Sequence, residues 1–133
     1  MMKKKSLSPL GETEMEVLHH VWTMGRATVS EVQELVLKKR KVAYTTIMTV
    51  LNKLAKKGYL DRDTSGSSYI YSAARPPDEV RHNLLSGLMD KVFLGSPTAL
   101  VQTLVKFESL TDDDLAEIRR SIDDLENKDA NSA

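Results

Sequence analysis

A mainly α fold with a small β part (α+β) is predicted by three observations on the 133-residue chain. Between positions 43 and 57 apolar residues recur at helical spacing opposite a polar face; Gly58 then stops that helix; and two alternating segments, 59–63 and 68–72, flank a polar turn. With two helical patterns upstream, the order is helix, helix, loop, helix, hairpin, which is the order of a winged helix-turn-helix. Three more helical patterns follow. The expectation is a winged-helix DNA-binding domain over residues 1–77 and a three-helix dimerisation domain over residues 78–133.

The first helix is expected to open at Ser8-Pro9, a cap followed by a proline at the first helical position, and to end near Gly25. Met15, Leu18, Val21 and Trp22 form its core stripe. The second opens on Thr28-Val29-Ser30-Glu31, which fits a capping box, with Val32, Leu35 and Val36 as its inner face. A run of four cations, Lys38-Lys39-Arg40-Lys41, fills the loop that follows and is placed for a first contact with phosphate, Lys41 nearest the next helix.

In the third helix Ile47, Val50, Leu51 and Leu54 fall at i, i+3, i+4 and i+7 and make one apolar stripe. The opposite face carries Thr45, Thr46, Thr49, Asn52 and Lys53, short hydroxyls, an amide and an amine suited to base edges and phosphates, with no carboxylate among them. Threonine is a poor helix former because its branched carbon restricts the side chain. Three of them within five residues therefore ask for a reason in packing or function. The plain alternative, a solvated polar face, would more typically carry Glu and Lys.

Gly58 supplies the left-handed position after the helix, and Lys56 and Lys57 suit the negative end of its dipole. The hairpin over 59–73 is the wing, with 64–67 (Thr-Ser-Gly-Ser) as its turn. A lone hairpin is marginally stable in water, so Leu60 and Ile70 or Tyr71 are expected to pack on the helices.

Pro76-Pro77 is the expected joint, with Asp78 placed to cap the next helix. Val80, Leu84, Leu85, Leu88, Met89 and Val92 make a broad apolar face that ends at Gly95-Ser96-Pro97. A second helix carries Leu100, Val101, Leu104 and Val105, and Thr111 caps a third whose Leu115, Ile118, Ile122 and Leu125 repeat at heptad-like spacing. About 50 residues hardly bury all these faces alone, so self-association is expected, through Leu84, Leu88, Val92, Leu100, Leu104, Leu115, Ile118, Ile122 and Leu125. Two heads on a two-fold axis would read two half-sites of a pseudo-palindromic operator in double-stranded DNA.

Charge supports the same division. Residues 1–77 hold 13 Lys+Arg against 7 Asp+Glu, a balance of +6, while residues 78–133 hold 6 against 12, a balance of −6. A positive head gathers near nucleic acid and an acidic tail is repelled from it.

Composition excludes other chemistry. With no cysteine, disulfides, thiol redox sensing and thiolate metal sites are out, and a reducing cytoplasm is a fitting compartment. His19 and His20 point about 100° apart on a helix and His82 lies far along the chain, so neither a metal nor another cofactor is expected. The Lys-rich start lacks an apolar run and does not read as a signal peptide, and no span approaches about 18 apolar residues, so no membrane insertion is expected. Neither a phosphate-binding glycine loop nor a nucleophile elbow is present, so no enzyme is expected. Asp112-Asp113-Asp114, directly after the Thr111 cap, reads as helix N-terminal charge, and Trp22, Tyr69 and Tyr71 read as packing residues.

Leu10-Gly11-Glu12-Thr13-Glu14-Met15-Glu16-Val17-Leu18, Val21-Trp22, Thr28-Val29, Ala43-Tyr44-Thr45-Thr46, Leu51-Asn52-Lys53-Leu54, Lys57-Gly58 and the tyrosine-bearing second wing strand resemble the penicillinase repressor family, BlaI and MecI with their copper-responsive relatives. The likeness runs from about Leu7 to Leu125. It implies a homodimeric cytoplasmic repressor whose heads bind a palindromic operator and block transcription. It also implies that the third helix enters the major groove, which carries over to Thr45, Thr46, Thr49 and Lys53, with Met48; Tyr44 at the helix start joins them in the expected contact set. The wing turn carries over as a backbone contact at Thr64 to Ser67, so that Ser65 and Ser67, with Arg62 on the strand before them, complete the expected contact set.

Three departures from the family pattern bear on induction and on the wing. Beta-lactam repressors are released when a sensor-linked protease pathway cuts an Asn-Phe bond in the second tail helix; the matching position here is Thr103-Leu104. Copper-responsive members carry a cysteine-rich tail, whereas this chain ends without cysteine. The wing tip lacks the basic residue common there. Beside the repressor, the residues leave open a winged-helix module that binds protein instead of DNA, distinguished by an absence of salt-dependent DNA affinity.

Overall fold

The computed structural model describes residues 10–131, so the Ser8-Pro9 start expected for the first helix lies outside them. α1 (Glu12–Met24) follows Gly11, whose N–H donates to Glu14 Oε1 at 3.1 Å, and it stops at Gly25, where φ is 80°. α2 (Val29–Leu37) opens on the expected capping box: Thr28 Oγ1 accepts from the Glu31 N–H at 3.2 Å, and the Thr28 N–H donates to Glu31 Oε1 at 2.9 Å. α3 (Tyr44–Lys56) ends before Gly58 at φ 91°, as its sequence requires.

Between α1 and α2 lies a strand that the sequence did not announce, β1 (Arg26–Thr28). The wing supplies β2 (Leu60–Asp63) and β3 (Ile70–Ala73), shorter than the two alternating segments suggested, joined by residues 64–69. The antiparallel sheet has the order β1-β3-β2, with Ala27 opposite Tyr71 and Arg62 opposite Tyr71 on the other side. Three residues are too few to show an alternation, which is why β1 escapes a pattern-based reading.

Val17, Leu18 and Val21 of α1, Val32 and Val36 of α2 and Ile47, Leu51 and Leu54 of α3 meet in one apolar core. Tyr59, Leu60 and Tyr71 close it from the wing side, as expected for Leu60 and Tyr71; Ile70 is half-buried. Each such side chain contributes about 1.5–3 kcal/mol on burial, enough to hold a hairpin that would not persist alone.

α4 (Pro77–Phe93) begins at Pro77 itself, so Asp78 is not its cap. The Val80 N–H bonds to the Pro76 carbonyl at 3.2 Å, and proline is tolerated at a first helical position because the missing N–H has no helical partner there. Asp78 instead sits in the first turn and pairs with Arg81 at 3.0 Å. Val80 is fully buried in the head core, with Leu84 packed against it, and the compact head unit runs on to Leu88.

The second unit begins at Met89 and holds the end of α4, α5 (Pro97–Phe107) and α6 (Asp112–Asn131). Leu94 and Gly95 take positive φ, 52° and 78°, to turn the chain, and Ser96 then caps α5 by accepting from the Ala99 N–H at 3.1 Å. Thr111 caps α6 reciprocally with Asp114, at 3.0 and 3.1 Å. α6 continues past Leu125, where the apolar repeat stops, because Glu126, Lys128 and Ala130 are good helix formers. No apolar side chain among this unit's described residues is fully buried. Among the described residues no single helix is long and apolar enough to cross a membrane.

Candidate nucleic-acid interface

With Ile47, Leu51 and Leu54 locked inward, the rotation of α3 is fixed, and Thr45, Thr46, Thr49 and Lys53 stand exposed on its outer side. Met48 is half-buried and Tyr44 is exposed at the helix start. Ala43 offers no side-chain cap, and its carbonyl takes the N–H groups of Thr46 and Ile47 at 3.1 and 3.2 Å. The first turn thus keeps its positive dipole end open to an anion.

Tyr44 and Met48 meet Ser67, Ser68 and Tyr69 of the wing, Thr28 at the end of β1 and Val29 and Ser30 of α2 around a groove of about 310 Å³. Part of the expected contact set is therefore gathered at one place, the junction of reading helix and wing. Ser65 differs. Its N–H and hydroxyl donate to Asp63 Oδ1 at 2.9 and 2.6 Å, so both its donors are committed to ordering the turn. Those bonds hold the Asp63 carboxyl below its ordinary value.

The basic loop also divides. Arg40 pairs with Glu16 of α1 at 2.7 Å, with a second contact at 3.0 Å, so it braces the loop instead of standing as the open cation expected of the run. The Arg40 guanidinium holds the Glu16 carboxyl down against its desolvation. Gln33 Nε2 donates to the Val42 carbonyl at 3.2 Å and fixes the entry to α3. Lys38, Lys39 and Lys41 stay exposed.

At the other end of α3, Lys57 donates to Glu14 Oε2 at 2.8 Å, tying α3 to the start of α1 and lowering the Glu14 carboxyl from its ordinary value. Glu14 and Glu16 are thus each balanced by a cation of the head, Lys57 and Arg40. The exposed side of α3 itself carries no carboxylate.

Asn52, read from the sequence as part of the outer face, is half-buried and faces the wing. Its Oδ1 accepts from Tyr71 OH at 2.6 Å and from Arg62 Nη1 at 3.0 Å. These partners lie 10 and 19 residues away. No local pattern in the sequence carries that signal.

Of the residues expected at the dimer face, Leu88, Val92, Leu104, Ile118, Ile122 and Leu125 are exposed in the single chain, Leu100 and Leu115 are half-buried, and Leu84 packs on the head core.

A family model described as penicillinase repressor matches residues 10–124. Among curated proteins, the transcriptional regulator BlaI of Mycobacterium tuberculosis (strain ATCC 25618 / H37Rv) is 34% identical over 124 residues, covering 90% of this chain and 87% of its own. The methicillin resistance regulatory protein MecI of Mammaliicoccus sciuri is 26% identical over 110 residues, covering 83% of this chain and 89% of its own. A solution structure of the monomeric form of Bacillus licheniformis BlaI in complex with the blaP half-operator is 27% identical, covers 59% of this chain and 93% of that one, and has a TM-score of 0.47.

Proposed function

The chain belongs to the penicillinase repressor family, and from that membership and the geometry of its head we propose a homodimeric transcriptional repressor that binds a pseudo-palindromic operator in double-stranded DNA. The observation that carries this reading is the exposed side of α3: Thr45, Thr46, Thr49 and Lys53 stand clear of the core, free of carboxylates, beside a wing anchored to the same core. Hydroxyls and an ammonium at that spacing suit base edges and flanking phosphates. Tyr44, Met48, Ser67 and Arg62 extend the surface onto the wing, and Lys41 onto the loop before α3. Ser65 takes part through its acceptor oxygen or not at all.

Dimerisation is supported by the apolar surface that one copy leaves open. Val92 is 57%, Phe107 73% and Leu125 62% exposed, and patches of this kind mark association surfaces. A second copy is the proposed occupant, which would place two reading helices on one duplex. The protein is read as a cytoplasmic binder of DNA and not as an enzyme. A sensor-linked protease is the partner that family membership suggests for release; the position matching the cut bond of relatives, Thr103-Leu104, lies within α5 and is not Asn-Phe.

Lys53→Ala tests the reading face. Loss of one phosphate contact should weaken operator binding and lower the slope of log affinity against log salt by about 0.9, with the melting temperature unchanged. Unchanged affinity and slope would remove Lys53 from the interface.

A further inference from the structure

Asn52 stands where the reading helix meets the wing. Its Oδ1 receives two donors at once, Tyr71 OH at 2.6 Å and Arg62 Nη1 at 3.0 Å. Two donors on one atom identify it as the carbonyl oxygen, because the amide nitrogen accepts nothing. Arg62 and Tyr71 are cross-strand partners in β2 and β3. Side chains alternate along a strand, so Arg62 shares a face with the buried Leu60, and Asp61 and Asp63 point the other way. The Arg62 guanidinium also lies 5.0 Å from the Tyr69 ring centre. A long cation that would otherwise wander is thus held from the helix on one side and from an aromatic face on the other. It nonetheless remains exposed, with further donors of its fork available.

We infer that Asn52 is a positioning residue for DNA binding: through Oδ1 it fixes the Arg62 guanidinium in the angle between α3 and the wing, where the guanidinium meets a backbone phosphate beside the groove that α3 enters. The inference rests on the DNA-binding reading of this family member. It assigns Asn52 a task distinct from base contact. A guanidinium already in place loses less freedom on meeting a phosphate than one that must be ordered by the contact.

The test is a double-mutant cycle on the full-length protein, measuring affinity for an operator duplex selected with the unmodified chain, over a series of salt concentrations. Arg62→Ala should weaken binding several-fold and lower the salt slope by about 0.9. Asn52→Ala should lower the slope in the same way although it removes no charge, and Asn52→Ala/Arg62→Ala should bind no more weakly than Arg62→Ala alone. A fold-only role for Asn52 would leave the slope untouched. Should Asn52→Ala melt below the assay temperature, Asn52→Ser, too short to reach both donors, gives the same reading. An unchanged slope for either single variant, or effects that multiply in the double variant, would overturn the inference while leaving the repressor assignment standing. Absence of salt-dependent binding by the unmodified chain would instead overturn the assignment itself, and the inference with it.

Discussion

Thr49 shows how much one hydroxyl can decide. Its Oγ1 donates back to the Thr45 carbonyl, one turn earlier, at 2.9 Å. The hydroxyl proton is therefore committed, and the methyl group and oxygen lone pairs are what Thr49 offers outward. A methyl suits contact with the thymine methyl in the major groove. Thr49→Ala should then weaken operator binding by about 1 kcal/mol, the worth of one buried methyl group, while Thr49→Val, which keeps the methyl, loses less than half of that; titration of a labelled duplex with both variants distinguishes them. Equal losses would place the hydroxyl, not the methyl, at the base edge. The residue scale also sets an acid limit. Glu14 has its folded pKa depressed, first by the hydrogen bond from Lys57, so its contribution is present above the ordinary carboxylate value of 4.5 and is lost as pH falls through the lower folded value. Glu14→Gln should cost about 1 kcal/mol near neutral pH, where the pair is partly buried, and flatten the decline in stability below pH 4.5, as followed by denaturant melts across that range. Residue identities on the α3 surface were legible in the sequence because helical spacing alone assigns them to the side away from Ile47, Leu51 and Leu54. The partners of Arg40 and Asn52 were not, since Glu16, Tyr71 and Arg62 reach them only once the chain has folded.

At the scale of elements, helices declared themselves through their ends as much as their stripes. The Thr28 and Thr111 caps, the Gly25 and Gly58 stops and the helix break at Gly95-Ser96-Pro97 all stand where the sequence put them. Gly58 is the sharpest case: at φ 91° an added Cβ meets no atom within 4 Å, so any penalty for a side chain is conformational and not steric crowding. Gly58→Ala is expected to destabilise the head by about 1 kcal/mol through that backbone strain, lowering its melting temperature without changing the reading surface. A rise in stability would mean that the turn relaxes out of the left-handed region. β1 marks the limit of element-scale reading. Arg26–Thr28 pairs with β3 only because α1 and α2 return it to the wing, and nothing in three residues foretells that.

For the whole molecule, the charge division and the apolar tail faces were visible before any fold, whereas the participation of α4 in the head was not. The paired prolines suggested a joint, yet Val80 three residues beyond Pro77 is part of the head core. A head fragment ending at residue 88 should exceed one ending at residue 77 by about 2 kcal/mol in urea melts, the worth of one buried valine. Equal stability would return the joint to the prolines. Reading by two copies is the central claim, and selection of bound duplexes from a random pool by the full-length protein at moderate salt tests it most directly. The claim predicts enrichment of an inverted repeat whose half-sites lie about one helical turn apart. Enrichment of a single unpaired site, or of none, would contradict it.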